Sequence, residues 1–327
     1  MTPWRLLWRL LWRCAALLAA LPGVAQAATL QLAPGGSLAA TVARAADGDL
    51  IEIAAGEYRG EVAVILQKRL TLRGVGGRPV LNAAGRAAEG KGILVVRDGD
   101  VRIENLEFRG ARVADRNGAG IRFERGQLQV LRCVFMDNEN GILAAGFADA
   151  ELDIEDSDFG LAPADTPLPH LLYVGAIARL TVRHSRFSGG NQGHLLKSRA
   201  RVSDIRDSRF VDGPTGQAAY ELEFPNGGVV RVVGNVIGQS AGTSNPAIVS
   251  YGAEGYAERP HALLFSDNTV INEAPRPAYF LRVRAAQPPI EQRVLNNRFY
   301  GPGDLGPAEA AQGNTQAPLS ALPATRP

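Results

Sequence analysis

A chain of 327 residues that is 46% hydrophobic and 21% charged can fill a sizeable core, which excludes a disordered polyelectrolyte. With 37 Gly, 20 Pro, 6% aromatic residues and no G-X-Y period, the composition points to many turns and short strands and away from collagen. The formal charge of +2 provides no global basic field, so no nucleic-acid partner is expected.

Taken in chain order, Arg5, Arg9 and Arg13 precede an apolar stretch that ends in Ala25-Gln26-Ala27, the pattern of a secretory signal cut after Ala27. The stretch is shorter than the roughly 20 apolar residues a bilayer span needs, so no stable membrane anchor is expected after cleavage. A periplasmic or secreted protein is the expectation. Cleavage removes three arginines and no acid, taking the formal charge from +2 to −1, and also removes all three tryptophans. Cys133 is then the sole thiol, and an internal disulfide is excluded. Residues 37–46 read as a short amphipathic helix covering the N-terminal end of the core.

From there the chain repeats. Phe108, Phe135, Phe159, Phe187, Phe210, Ile237, Val270 and Phe299 recur at separations of 23 to 33 residues. Five positions before each stand Ile103, Val130, Ile154, Val182, Ile205, Val232, Phe265 and Val294. Seven before stand Val101, Leu128, Leu152, Leu180, Ser203, Val230, Leu263 and Gln292. The residues between them are mostly charged or polar, the alternation of half-buried strands, so these sets form inward ladders. Two residues before most anchors lies a small or amide side chain: Cys133, Ser157, Ser185, Ser208, Asn235, Asn268 or Asn297. Stacked at a corner, these groups can hydrogen-bond along the axis. His184 matches Asn105, Asp156 and Asp207 at a solvated turn.

Repeats of this length without 3.6 periodicity resemble coils of short parallel strands, and over residues 48–300 the chain is similar to the right-handed parallel β-helix, or pectin-lyase-like, superfamily. The opening strands Leu50-Ile51-Glu52-Ile53 and Leu70-Thr71-Leu72-Arg73-Gly74 look like the first coils of that superfamily. The expected organisation is a signal peptide at 1–27, an all-β solenoid with its capping helix at 28–300, and a flexible Pro/Ala/Gly-rich tail at 301–327.

The outward faces hold the chemistry. An ungapped match of Phe135–Gly146 to Phe187–Ser198 sets Ile142 beside His194 and Ala144 beside Leu196, so Leu196 points inward and Lys197 outward. By strict alternation Tyr220, Leu222 and Phe224 face the interior, leaving Glu221 and Glu223 in solvent with Glu223 one strand spacing from Lys197. The same column is expected to hold Glu124, Tyr173, Ser250 or Tyr251, and Arg282. In the resembled superfamily such a groove binds an extended polysaccharide, which places Lys197, Glu223, Tyr173 and Glu221 as candidate catalytic residues and Arg199, Tyr251, His194 and His170 as candidate substrate-binding residues.

Three chemistries fit this set. A lyase acting on an acidic polysaccharide needs cations to neutralise a uronate and a group to remove the adjacent proton. Glu223 favours the charged form of Lys197, so Lys197 suits carboxylate binding better than base catalysis. A glycoside hydrolase needs two carboxylates, and Glu221 and Glu223 stand roughly 6 to 7 Å apart along one strand face. The chain carries neither the polygalacturonase motifs nor the pectate-lyase arginine pattern, however. In the third reading the groove is a noncatalytic polysaccharide-binding or cell-envelope scaffold, with Lys197 and Glu223 an exposed ion pair worth at most about 1 kcal/mol. No cofactor and no metal ligand are assigned, with Ca²⁺ on the acidic run from Asp153 to Asp158 as the alternative: His170 and His194 read as hydrogen-bonded corner residues, and alternation splits that run between two faces.

Overall fold

The computed structural model describes residues 27–286, 289–306 and 311–323. The expected signal peptide lies outside the described residues, apart from Ala27. Among the described residues the strands form three parallel sheets of 12, 11 and 10 strands, which the chain visits in turn on every coil. This is an all-β parallel β-helix, and the expected fold class holds. No helix among the described residues is long and apolar enough to cross a membrane.

Every anchor pairs as the repeat predicts. Val134-Phe135-Met136 runs in register with Glu107-Phe108-Arg109 on one side and with Asp158-Phe159-Gly160 on the other. The rings of Phe108, Phe135, Phe159, Phe187 and Phe210 stack with centroids 4.5 to 5.0 Å apart, and all are buried. Each such pair adds about 0.5–1.5 kcal/mol beyond the apolar area it buries. Ser203, a polar member of an inward ladder, is satisfied by Ser198, Oγ to Oγ at 2.9 Å.

Between the first and second sheets a single residue turns the corner in the left-handed region. Asn105, Arg132, Asp156, His184, Asp207, Asp267 and Asn296 take φ of 47° to 58° there, and Gly234 fills the same place at 72°. Short polar side chains tolerate that conformation, which explains the Asn/Asp preference and the solvated His184. The next residue supplies the axial ladder. Cys133 N donates to Ser157 Oγ, Ser157 N to Ser185 Oγ, Ser185 N to Ser208 Oγ, Ser208 N to Asn235 Oδ1, Asn235 N to Asn268 Oδ1, and Asn268 N to Asn297 Oδ1, all at 2.9 to 3.1 Å. Ser185→Ala leaves the buried Ser157 N–H without an acceptor, and is expected to cost about 1–2 kcal/mol in a denaturant melt.

Helix α1 (Leu38–Arg44) is capped by Ser37, whose side chain accepts from Ala40 N, and it buries Leu38 and Val42 on the N-terminal end of the core. At the other end the solenoid runs past the expected boundary at residue 300. Strands Gly303–Asp304, Ala311–Gln312 and Thr315–Ala317 each add to a sheet. Asn297 N donates to Asn314 Oδ1 at 2.8 Å, extending the ladder by one more rung. A Pro- and Ala-rich composition hid these strands, because backbone pairing and one asparagine set them without an apolar anchor.

Candidate functional site

The third sheet carries the groove. Its strands include His170–Val174, His194–Ser198, Tyr220–Phe224, Ala247–Tyr251 and Ala278–Val283. Tyr173, Lys197, Glu223, Ser250 and Arg282 follow one another in register, and this column faces outward. His170, His194 and Tyr220 form a parallel outward row at the strand entrances. The two imidazoles stack at 4.7 Å, and the rings of His194 and Tyr220 lie 5.1 Å apart.

The ungapped match was wrong by two residues: Ile142 pairs through Leu172 with Leu196, not His194. A slip of two preserves strand facing, so Lys197 still points outward. Glu124 lies two positions past the column, which Arg122 enters instead; Glu124 is held by Lys91 and Arg122 at 2.7 and 3.2 Å.

Two candidates turn inward from the outer face of the groove. Strict alternation placed Glu221 in solvent, yet the ladders between central strands of this sheet skip one residue, as between His194↔Tyr220 and Leu196↔Leu222. At that interruption the second and third residues both face inward, as fully buried Leu195 with Leu196 and Ile248 with Val249 show. Glu221 therefore lies in the core, 0% exposed, with neither carboxylate oxygen hydrogen-bonded. Burial, reinforced by the charge of Asp212, pushes its carboxyl well above the usual range. Tyr251 is also 0% exposed; it occupies an inward position, and its hydroxyl donates to Gly228 O at 2.6 Å. Without Glu221 the carboxylate pair proposed for hydrolysis does not exist in the groove.

The remaining candidates come together around a residue absent from the sequence expectation. Glu254 projects from the loop between Tyr251 and Ala262 and bridges Lys197 Nζ at 2.9 Å and Arg199 at 2.7 Å. Lys197 also lies 2.9 Å from Glu223, with their side chains only 11% and 5% exposed, so this pair is buried and not the solvated one expected. Arg199 Nε donates to Tyr173 Oη at 3.0 Å, and its guanidinium also reaches Asn226 Oδ1. The loop is fastened by Gly252 N to Phe224 O, by Arg259 to Arg199 O, and by Gly228 N to His261 Nδ1. Gly252, at φ of 80°, lies beneath the Tyr256 ring, where an added Cβ would stand 2.6 Å from Tyr256 Cζ. The sequence did signal this loop: the 33-residue separation of Ile237 from Val270 is the longest in the repeat.

The electrostatics follow from these contacts. Burial opposes the Lys197 ammonium, but Glu223 and Glu254 outweigh it and hold Lys197 above the usual lysine value. Hydrogen bonding to Arg199 is the main reason that the Glu254 carboxyl falls to about 2, with Lys197 adding to it. Burial lowers His170 to about 4 and His194 to about 2, helped by the nearby cations, so both rings are neutral at pH 7. His170 Nδ1 accepts from His194 N at 3.1 Å, which leaves the proton of the neutral His170 ring on Nε2. Among the described residues no group of three or more His, Cys, Asp or Glu is arranged to hold a metal ion.

The sequence matches no family model and no curated protein. Solved structures do match. The PL6 family alginate lyase AlyGC superposes with a TM-score of 0.59 at 15% identity, over 89% of this chain and 40% of that one. Pectate lyase Pel9A gives a TM-score of 0.53 at 13% identity, over 89% of this chain and 80% of that one. The chain thus corresponds to about two fifths of the alginate lyase. At these identities the shared property is the β-helix fold.

Proposed function

We propose that the protein binds an acidic polysaccharide along the third sheet and cleaves it by β-elimination. The observation that carries this reading is Glu254: Lys197 and Arg199 already hold a carboxylate, in a shallow groove on a fold shared with two polysaccharide lyases. A uronate carboxylate that displaces Glu254 meets the same two cations. They withdraw charge from the carbon beside the carboxylate, which is what removal of its proton requires.

Lys197 is held as an ammonium and serves as a carboxylate ligand. Tyr173, whose hydroxyl already accepts from Arg199, is the proton-transfer group in this reading. Tyr173 Oη, entering the step as a phenolate beside the Arg199 guanidinium, takes the C5 proton; the C5–H electrons form the C4–C5 double bond, the C4–O bond breaks, and the same Oη returns the proton to the leaving oxygen. The buried position of Glu221 disfavours hydrolysis. Export to the periplasm or beyond, where such a polymer is met, rests on the signal pattern of residues 1–27.

The test is a panel of uronate polysaccharides followed by absorbance near roughly 235 nm, where an unsaturated product absorbs. Tyr173→Phe is expected to abolish turnover while retaining binding. Glu254→Ala is expected to tighten uronate binding about tenfold in calorimetric titration, the gain for a seat that its own side chain leaves open about a tenth of the time. Binding without turnover in every uronate polymer would instead favour the noncatalytic scaffold. No binding by wild type or Glu254→Ala would sink the acidic-polysaccharide reading.

A further inference from the structure

The groove has two stretches that differ in their charge balance. On one side Lys197 and Arg199 are matched by Glu223 and Glu254. On the other side a cleft of about 370 Å³ opens, lined by Tyr220, Ser250, Ala253, Arg282 and Arg284. Arg282 lies over the Tyr279 ring at 5.5 Å, and the Arg284 guanidinium donates to Ala253 O at 3.2 Å. Among the described residues neither arginine forms an ion pair with a carboxylate, and both are exposed. Two cations beside an open cleft, without a carboxylate partner among the described residues, present positive charge to solvent.

The cleft continues the same groove. Lys197, Glu223, Ser250 and Arg282 are register partners on successive strands, so the column at Arg282 is three strand spacings, about 14 Å, from that at Lys197. A chain lying along the solenoid axis passes over both. Tyr220 contributes a ring at the cleft wall, the type of surface on which a sugar ring packs.

We propose that the Arg282–Arg284 cleft is a second anion-binding subsite of the groove, one that a polyanionic saccharide engages before it displaces Glu254 from Lys197 and Arg199. The inference rests on the acidic-polysaccharide reading and sharpens it. The substrate is a polymer with carboxylates on at least two sugars within a short stretch, and a single uronate makes only half of the contacts. The order follows from the charges: the cleft cations are already available, whereas the Lys197–Arg199 seat must first release its own carboxylate.

The test uses the full chain with hexameric oligogalacturonate, hexameric oligomannuronate and the two corresponding monosaccharide acids, titrated at low and moderate salt. Arg282→Gln with Arg284→Gln, made in wild-type and Glu254→Ala backgrounds, is expected to weaken hexamer binding at least tenfold in both. It is also expected to flatten the salt dependence and leave monosaccharide binding to Glu254→Ala unchanged. Both arginines are exposed, and an unchanged melting temperature confirms that the variant is folded. Unchanged hexamer affinity in a parent that binds tightly would overturn the subsite and leave the Lys197–Arg199 seat standing. Absence of uronate binding in wild type and Glu254→Ala alike would overturn both.

Discussion

Glu221→Leu is expected to stabilise the protein by about 1–3 kcal/mol near neutral pH, a gain read as a higher melting temperature and a higher denaturant midpoint. Glu221 sits between Leu195 and Ile248 in an otherwise apolar column, fully buried and with both oxygens unpartnered. Leucine at this place extends the column without requiring a proton or a hydrogen bond. The variant also changes the pH response. Because folding raises the Glu221 value, the folded state holds a proton that the unfolded chain gives up. That contribution to stability is full below about pH 4.5, the unfolded value, and is lost as pH rises to and through the folded value.

The histidines act in the opposite direction. Folding lowers His170 to about 4 and His194 to about 2, so their contribution is present above the ordinary value of 6.5 and is lost as pH falls from 6.5 through the folded values. Wild type should therefore lose stability on both sides, and Glu221→Leu should retain the acid limb while flattening the alkaline one. Melting curves at several pH values between acid and alkaline conditions read both limbs. A Glu221→Leu variant less stable than wild type at every pH would show that the carboxyl has a partner in solution.

Lys197→Ala is expected to cost about 3–5 kcal/mol, an order of magnitude more than removal of an exposed strand lysine. The side chain is 11% exposed, and its removal strands the Glu223 carboxylate, itself 5% exposed, beside a neutral histidine. Adding Glu223→Gln should recover part of the loss, so the double variant should be more stable than the sum of the single losses implies. Denaturant melts of the four proteins in this cycle measure the coupling. Additive effects, each below about 0.5 kcal/mol, would mean that water reaches the pair.

Most of the solenoid was legible because its strongest signals are local and periodic. An inward Phe, Ile or Val on every coil, an Asn, Asp or His at most left-handed corners, and a Ser or Asn just after most of them are demanded separately by packing, backbone sterics and hydrogen bonding. Lys197 survived an alignment error because a slip of two residues preserves its face. Glu221 and Tyr251 did not follow the expected pattern, for a different reason. Alternation presumes an uninterrupted ladder, whereas the central strands of this sheet skip a pairing near their entrances, and a five-residue segment cannot reveal that. Glu254 was beyond reach because its contacts with Lys197 and Arg199 are fixed by how a loop folds back over two earlier coils. Only the excess length of its repeat left a trace in the sequence.

The register that aligns Tyr173, Lys197, Glu223, Ser250 and Arg282 makes the groove a ruler with divisions of about 4.8 Å. Each coil contacts chiefly its immediate neighbours, so a coil can be duplicated or deleted without repacking distant ones. Such an event moves the groups on either side of it by one whole division and leaves their facing unchanged. Distances between charges along the surface therefore change in steps, set by the backbone and not by side-chain choice. A solenoid of this kind can be matched to the repeat length of a linear polymer by counting coils.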